Sequence, residues 1–268
     1  MRYTSDQEFG SIPLPLKLSA SSMSSFLNCR GKYYLSRFIQ PTGGTTSESL
    51  QMGLDTHEIM SGEKPIKDAS NQFVRAMAGS LQDLCESLHI TTVATEITQV
   101  FPLDPPYEDI LFERRIDALG IDKNGIPIII DWKTSRNGWG KADKPASMYS
   151  LQTVGYFLKP PEYIMNELEE ATGWDDPWPT KMMYMVVSRA GQAKPYTITK
   201  GEYFPIKDFY NVVEDMLLVT GVPTFLYQNR GYNCGFCDFY KYCYSDTPWT
   251  TAYELREKKG IGEENAKP

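Results

Sequence analysis

Apolar and polar positions along the chain change period several times, and each change marks an element. Ser19 precedes a stretch with Phe26, Cys29, Tyr33 and Phe38 near one face, which predicts a serine-capped helix over residues 19–38. Further helical patterns cover residues 47–61, with Gly53 and His57 one turn apart, and residues 66–88. Residues 91–101, 110–121 and 126–134 read as strands. A helix over residues 145–158 puts Gln152 and Tyr156 on one face, four residues apart. Strands at residues 181–188 and 194–199 follow, then an amphipathic helix over residues 206–220, opened by Pro205 and stopped by Gly221 and Pro223. This order predicts an α/β fold, a mixed central sheet flanked by helices.

The punctuation between elements sets the expected organisation. Residues 1–18, with Pro13 and Pro15, read as an irregular arm. Residues 19–102 form a mainly helical region, 103–200 the core, 201–250 a C-terminal helix with a cysteine-rich segment, and 251–268 a charged tail. Residues 41–46 are a loop, and 162–179 read as an insertion rather than a boundary. Asn124-Gly125 is a hairpin signal. A two-residue loop there would set Asp117 opposite Trp132 and turn it away from Asp131. Convergence of the two aspartates therefore requires a connection longer by an odd number of residues, or a bulge.

That convergence matters because both aspartates sit in apolar runs, Arg115-Ile-Asp117-Ala-Leu and Ile130-Asp131-Trp-Lys133. An unpaired charge is expensive to bury, so something cationic must compensate. Asp131 and Lys133 share a strand face while Ile130 and Trp132 take the other. Two carboxylates beside a lysine suit a divalent cation and phosphodiester hydrolysis. Asp117 and Asp131 supply hard oxygen ligands to Mg²⁺ or Mn²⁺, with the Trp132 backbone carbonyl a third. Lys133 orients the water and offsets charge on the phosphate oxygens.

Composition adds bounds. The chain has 268 residues, 41% hydrophobic and 23% charged, and a net charge of −7. That acidity argues against a protein that coats nucleic acid, but not against an enzyme with a local basic track. Such a track runs through Lys133, Arg136, Lys141 and Lys144, and Thr134, Ser135, Arg136, Trp139 and Lys141 are candidate contacts along a single strand. No run approaches the ~20 apolar residues of a membrane span, and the first residues lack the apolar core of a secretory signal. The expectation is an intracellular, cytoplasmic protein with no membrane partner.

Five cysteines in such a chain do not suggest disulfides. Cys234, Cys237 and Cys243 have the local spacing of thiolate metal ligation, and the fourth ligand must be distant, Cys29 or Cys85. Cys85 lies in an ordinary amphipathic pattern and reads as a structural thiol. Four thiolates suit zinc or a [4Fe-4S] cluster, and the spacing does not choose.

Taken in order, Cys29, Gly53-x-x-x-His57, Arg115-Ile-Asp117, Asp131-Trp-Lys133-Thr-Ser, Gln152-x-x-x-Tyr156 and the three C-terminal cysteines resemble the iron–sulfur members of the RecB-like branch of the PD-(D/E)XK nuclease superfamily. That group includes CRISPR-adaptation nucleases, AddB-type repair nucleases and viral exonucleases. The resemblance implies a restriction-endonuclease-like core and a [4Fe-4S] cluster on Cys29, Cys234, Cys237 and Cys243 that joins the N- and C-terminal segments. It also implies a Mg²⁺- or Mn²⁺-dependent DNase with His57 as a further metal ligand. In that reading Gln152 bonds near Lys133 or to DNA, and Tyr156 contacts phosphate or stacks on a base. The substrate would be DNA ends with single-stranded character, in recombination, repair or viral DNA processing, inside a prokaryotic cell or a virus-infected host. Asp131 stands where the superfamily often has Glu, and Thr153 where relatives favour an apolar residue.

Readings of other classes make different demands. A non-catalytic iron–sulfur or zinc-stabilised nucleic-acid-binding subunit has no need of buried carboxylates. A zinc-stabilised RNA- or protein-interaction module would contain no iron or sulfide. A thiol hydrolase on Cys29 and His57 would need an oxyanion hole that nothing in the sequence arranges.

Overall fold

The structure, a computed structural model, describes residues 16–34, 36, 47–137, 150–202, 205–221, 234, 237 and 239. The chain divides into two compact units, one of residues 46–99 and 114–206, the other of residues 1–45, 100–113 and 207–268.

The first unit is the mixed α/β layer expected from the sequence. Its helices α3 (Glu48–Met60) and α4 (Gln72–Ser87) precede strands β2 (Thr91–Pro102), β3 (Ile110–Ile121) and β4 (Pro127–Ser135). Helices α5 (Ser150–Phe157) and α6 (Glu162–Thr172) follow, then β5 (Lys181–Ser188) and β6 (Ala193–Thr199). Strand β4 is antiparallel to β3 and parallel to β5, and β5 is antiparallel to β6. The parallel β4–β5 pair has α5 and α6 in its connection, as a crossover requires. Met52, Ile59, Val74, Met77 and Leu81 of α3 and α4 cover one face of the sheet with Ile128, Ile130 and Trp132. Tyr156, Phe157, Ile164 and Leu168 of α5 and α6 cover the other with Ile129, Met182 and Tyr184. Strands β4 and β5 are buried on both sides, which is why they read as continuous apolar runs.

The β3–β4 hairpin resolves the parity question. Ala118 pairs with Ile130 and Ile121 with Pro127, a register one residue away from that of a two-residue loop. Asp122 N–H donates to Ile126 O at 3.0 Å, closing a loop of Lys123, Asn124 and Gly125. Gly125 takes φ +77°, the left-handed conformation that ends a three-residue hairpin loop. The Asp122 side chain accepts from Asn124 and Ile126 N–H and holds the turn. One more residue in the loop is the odd increment that convergence demanded.

The second unit holds β1 (Leu16–Ser19), α1 (Ala20–Asn28), α2 (Arg30–Tyr34) and α7 (Ile206–Gly221). Strand β1 is parallel to Ile110–Glu113, the start of β3. Phe112 meets Phe101 and Phe209, while Arg30 pairs with Asp215 at 3.0 Å.

Four expectations are corrected. Leu16–Ser19, placed in an irregular arm, is a strand, because Leu16 and Leu18 bury one face while Lys17 pairs with Glu113 on the other. The helix expected over residues 19–38 breaks at Cys29, which is extended at φ −162° and ψ 107°. Its N–H still bonds Ser25 O, and its sulfur accepts the Lys32 N–H at 3.4 Å. Cys29 thus ends α1 and caps α2. Residues 162–172, read as part of an insertion, form α6. Ile164 and Leu168, one turn apart, are buried, and Gly173 closes the helix at φ +72°. Its four glutamates hid that short apolar stripe. The helix expected from residue 66 opens instead as a short 3-10 turn, with Asn71 capping α4. Residues 145–149 lie outside the described residues.

Candidate active site

The β3–β4 ladder stops at Ala118 and Ile130, and the site begins there. One further step of that register brings Asp117 across from Asp131. The Trp132 N–H donates to Asp117 Oδ2 at 2.8 Å instead of to a strand carbonyl. A strand residue presents its N–H and C=O to the same side, so the Trp132 carbonyl also faces Asp117. The alternation of β3 changes phase here, since Ile116 joins the core under α5 and Ala118 the core under α3.

Asp131 is fully buried. Its Oδ1 meets Lys133 Nζ at 2.5 Å, and its Oδ2 accepts from Gln152 Nε2 at 3.0 Å and Tyr156 hydroxyl at 2.6 Å. The i, i+4 pair on α5 is joined as well, with Gln152 Nε2 donating to the Tyr156 oxygen at 2.5 Å. Tyr156 is buried, and burial together with the charges of Asp131 and Asp117 pushes its phenol well above the usual tyrosine range. It remains a neutral donor. Its ring is therefore not placed to stack on a base, as the sequence reading had it; its hydroxyl holds Asp131. Thr153 meets the Tyr184 hydroxyl at 3.0 Å, so a polar residue at that buried position has a partner.

His57 approaches from the α3 side. Its Nδ1 lies 3.6 Å from Asp117 Oδ2, beyond hydrogen-bond length, and its ring meets Trp132 edge-on at 5.9 Å. Burial lowers its pKa, against the upward pull of Asp131 and the Trp132 backbone, which favours the neutral imidazole that a metal needs. Gly53, one turn earlier on α3, lies against β4. A Cβ there would stand 3.1 Å from Thr134 Oγ1, so the Gly-x-x-x-His spacing reflects close helix–strand approach.

Burial first, and the Asp131 charge second, raise the Asp117 carboxyl well above the usual carboxylate range, although Lys133 and the Trp132 N–H pull it down. A divalent cation beside the pair would favour the ionised form of Asp117. Among the described residues no three His, Cys, Asp or Glu side chains come together as a metal-holding group. Mg²⁺ seldom needs such a group, since it keeps several waters and takes one or two carboxylates. Asp117, Asp131, the Trp132 carbonyl and neutral His57 fit such an ion.

One acidic residue escaped the sequence reading. Glu96, on β2, is mostly buried, ion-paired with Arg115, and among the charges that act on Asp117 and His57. It adopts φ +54°, rare for a residue with a Cβ, and such strain clusters at functional sites. Its only sequence signal was a lone carboxylate within a strand of Thr, Val, Ile and Ala. Of the other candidates, Thr134 and Ser135 end β4 half-buried and Arg136 is exposed beyond it. Trp139, Lys141 and Cys243 lie outside the described residues. Cys234 and Cys237 are half-buried and joined by a main-chain bond at 3.1 Å, and Cys29, Cys234 and Cys237 belong to one unit. Cys85 packs at the edge of the α3–α4 core beside Met185, as a structural thiol should.

A buried strand carboxylate pair, a lysine two residues on and a supporting helix make up the candidate site. The sequence matches the PD-(D/E)XK nuclease superfamily over residues 17–244, and the chain belongs to it. Solved structures with a similar trace share little sequence. The protein SSO0001 is 12% identical with a TM-score of 0.41, covering 89% of this chain and 90% of that one. A candidate exonuclease from Eubacterium rectale is 13% identical with a TM-score of 0.49, covering 88% and 92%. The alkaline exonuclease LHK-Exo from Laribacter hongkongensis is 15% identical with a TM-score of 0.32, covering 77% and 89%. No curated protein matches the sequence. No helix among the described residues is long and apolar enough to cross a membrane.

Proposed function

We propose that this nuclease is a Mg²⁺- or Mn²⁺-dependent DNA exonuclease, acting on DNA ends with single-stranded character. The observation that carries the reading is the pair of buried carboxylates, Asp117 and Asp131, beside Lys133. Asp117, Asp131, the Trp132 carbonyl and His57 would hold the ion, which would polarise the scissile phosphate and acidify a water. Lys133, anchored on Asp131 Oδ1, positions that water and offsets the charge that develops on the phosphate oxygens. Gln152 and Tyr156 hold Asp131 in the geometry ligation needs and satisfy its inner oxygen. Thr134, Ser135, Arg136, Trp139 and Lys141 carry the strand onward.

The reading includes a [4Fe-4S] cluster on Cys29, Cys234, Cys237 and Cys243. Membership of Cys29, Cys234 and Cys237 in one unit supports it, as does the N–H directed at the Cys29 sulfur. Hydrolysis transfers no electrons, so the cluster is structural, its binding energy part of the folding energy of that unit. The setting is the cytoplasm of a prokaryotic cell or a virus-infected host, in recombination, repair or viral DNA processing.

The test is a time course on end-labelled linear and circular DNA with Mg²⁺, Mn²⁺ or chelator. The wild type should degrade linear single-stranded ends with either metal, spare circles, and stop in chelator. Asp131→Ala should be inactive with its fold intact. A purified, cluster-loaded wild type that leaves every DNA untouched, or an Asp131→Ala variant at wild-type rate, overturns the reading.

A further inference from the structure

Beyond the carboxylates, a cavity of about 50 Å³ opens where β4 and β5 end. Its walls are Ser49 in the first turn of α3, Thr134, Ser135 and Arg136 after Lys133, and Arg189 after β5. Met52 and Met77 form a buried floor. Two guanidinium groups and three hydroxyls thus share one concavity, with no carboxylate in its lining, on a chain whose net charge is −7. The placement is built rather than incidental. Arg189 donates from its guanidinium to Ser49 Oγ at 2.7 Å and from its backbone N–H to Ser135 O at 3.2 Å. Its fork is therefore oriented before any ligand arrives, which lowers the entropic cost of binding. The first turn of α3 adds the positive end of a helix.

We infer that Ser49, Ser135, Arg136 and Arg189 form an anchoring subsite for a backbone phosphate of the nucleic-acid strand, next to the phosphate being cut. This rests on the nuclease reading and extends it, since Arg189 and Ser49 were not among the residues the sequence singled out. Ser135 lies two residues, about 6.7 Å, beyond Lys133 along the strand. A phosphate in the cavity is thus a neighbour of the scissile one, and its capture fixes the register of the strand over Asp117 and Asp131. Contacts of this kind position the chain without reading sequence.

Binding of a fluorescein-labelled single-stranded oligonucleotide, followed by anisotropy in chelator so that nothing is cut, tests the subsite apart from catalysis. Arg189→Ala should weaken binding about tenfold and reduce the slope of log affinity against log salt by ~0.7, the value for one phosphate contact on a single strand. Arg189→Lys should recover only part, because an ammonium cannot replace the fork. With metal present, KM for the oligonucleotide should rise more than kcat falls. Ser49→Ala, which loosens Arg189 without removing charge, should shift binding in the same direction by a smaller factor, with the melting temperature held. Unchanged affinity, salt slope and KM in a folded Arg189→Ala overturn the subsite while leaving the nuclease reading intact. Arg189-dependent binding by a wild type that never cuts DNA supports the subsite and removes the nuclease reading instead.

Discussion

Arg114 gives the most demanding prediction, because it sits three residues before Asp117 and touches no candidate ligand. Its side chain is buried, and one guanidinium nitrogen donates to the carbonyls of Gly155 at 3.0 Å, Tyr156 at 3.0 Å and Leu158 at 2.6 Å. The other donates to Lys159 O and Gln99 Oε1, and the group lies 5.1 Å from the Trp178 ring centre. Burial pushes its pKa down to about 10, so it is still a cation at neutral pH. Gly155 and Tyr156 lie in the last turn of α5, whose carbonyls lack helical partners, and Leu158 and Lys159 follow it directly. Arg114 is thus the C-terminal cap of the helix that presents Gln152 and Tyr156 to Asp131. Arg114→Ala would orphan several buried acceptors at ~1–3 kcal/mol each, less than additively, for a total of about 3–5 kcal/mol. A domain stable by 5–15 kcal/mol can bear that and remain folded at low temperature. Arg114→Lys keeps the charge but not the fork, and should lose roughly half as much. Denaturant unfolding with linear extrapolation measures the loss. Cleavage assayed where the variant is fully folded should show kcat down about tenfold with KM little changed. A variant that loses under about 1 kcal/mol and cuts at the wild-type rate would refute the capping argument.

The other predictions follow from the same structure. Asp117→Asn removes a buried like charge beside Asp131, so in metal-free buffer it should leave the melting temperature unchanged or raised, while cleavage with Mg²⁺ is lost; marked destabilisation in chelator would contradict the like-charge argument. Cys29→Ser should bleach the visible absorbance and lower the melting temperature, whereas Cys85→Ser should keep both iron and sulfide, as metal analysis can decide. Burial pushes the hydroxyls of Tyr107 and Tyr210 up to about 12, helped by Glu214 and Asp104, which accept their hydrogen bonds. A raised folded pKa means that their contribution to stability is complete below the unfolded value of ~10 and lost as pH climbs from there through 12. Alkaline unfolding should therefore begin later in Tyr107→Phe, followed by circular dichroism against pH, and an unchanged alkaline limb would count against the Tyr107–Glu214 bond.

Much of the framework was written in local patterns. Residues 110–121 and 181–188 form strands with the expected limits, and α3 and α7 stand within a few residues of their expected bounds. The alternation of a strand is enough to put Asp131 and Lys133 on one face. The parity of the hairpin followed from counting, and one extra loop residue satisfied it. These are short-range properties, fixed by backbone sterics and side-chain period, so the sequence determined them by itself.

The rest depended on partners remote in sequence. Arg114 read as one more strand cation until α5, some forty residues later, supplied the carbonyls it caps. Tyr156 read as a ligand contact, and its burial with a hydrogen bond to Asp131 is visible only in the fold. Glu96 had no signal beyond its charge, because no local pattern marks its left-handed backbone at φ +54°. Arg189 and Ser49 are 140 residues apart and meet only because β5 ends and α3 begins beside β4. A pattern along the chain records what each residue can do. Which partner fills its hydrogen bonds, and whether water can reach it, is decided only when the sheet brings distant segments together.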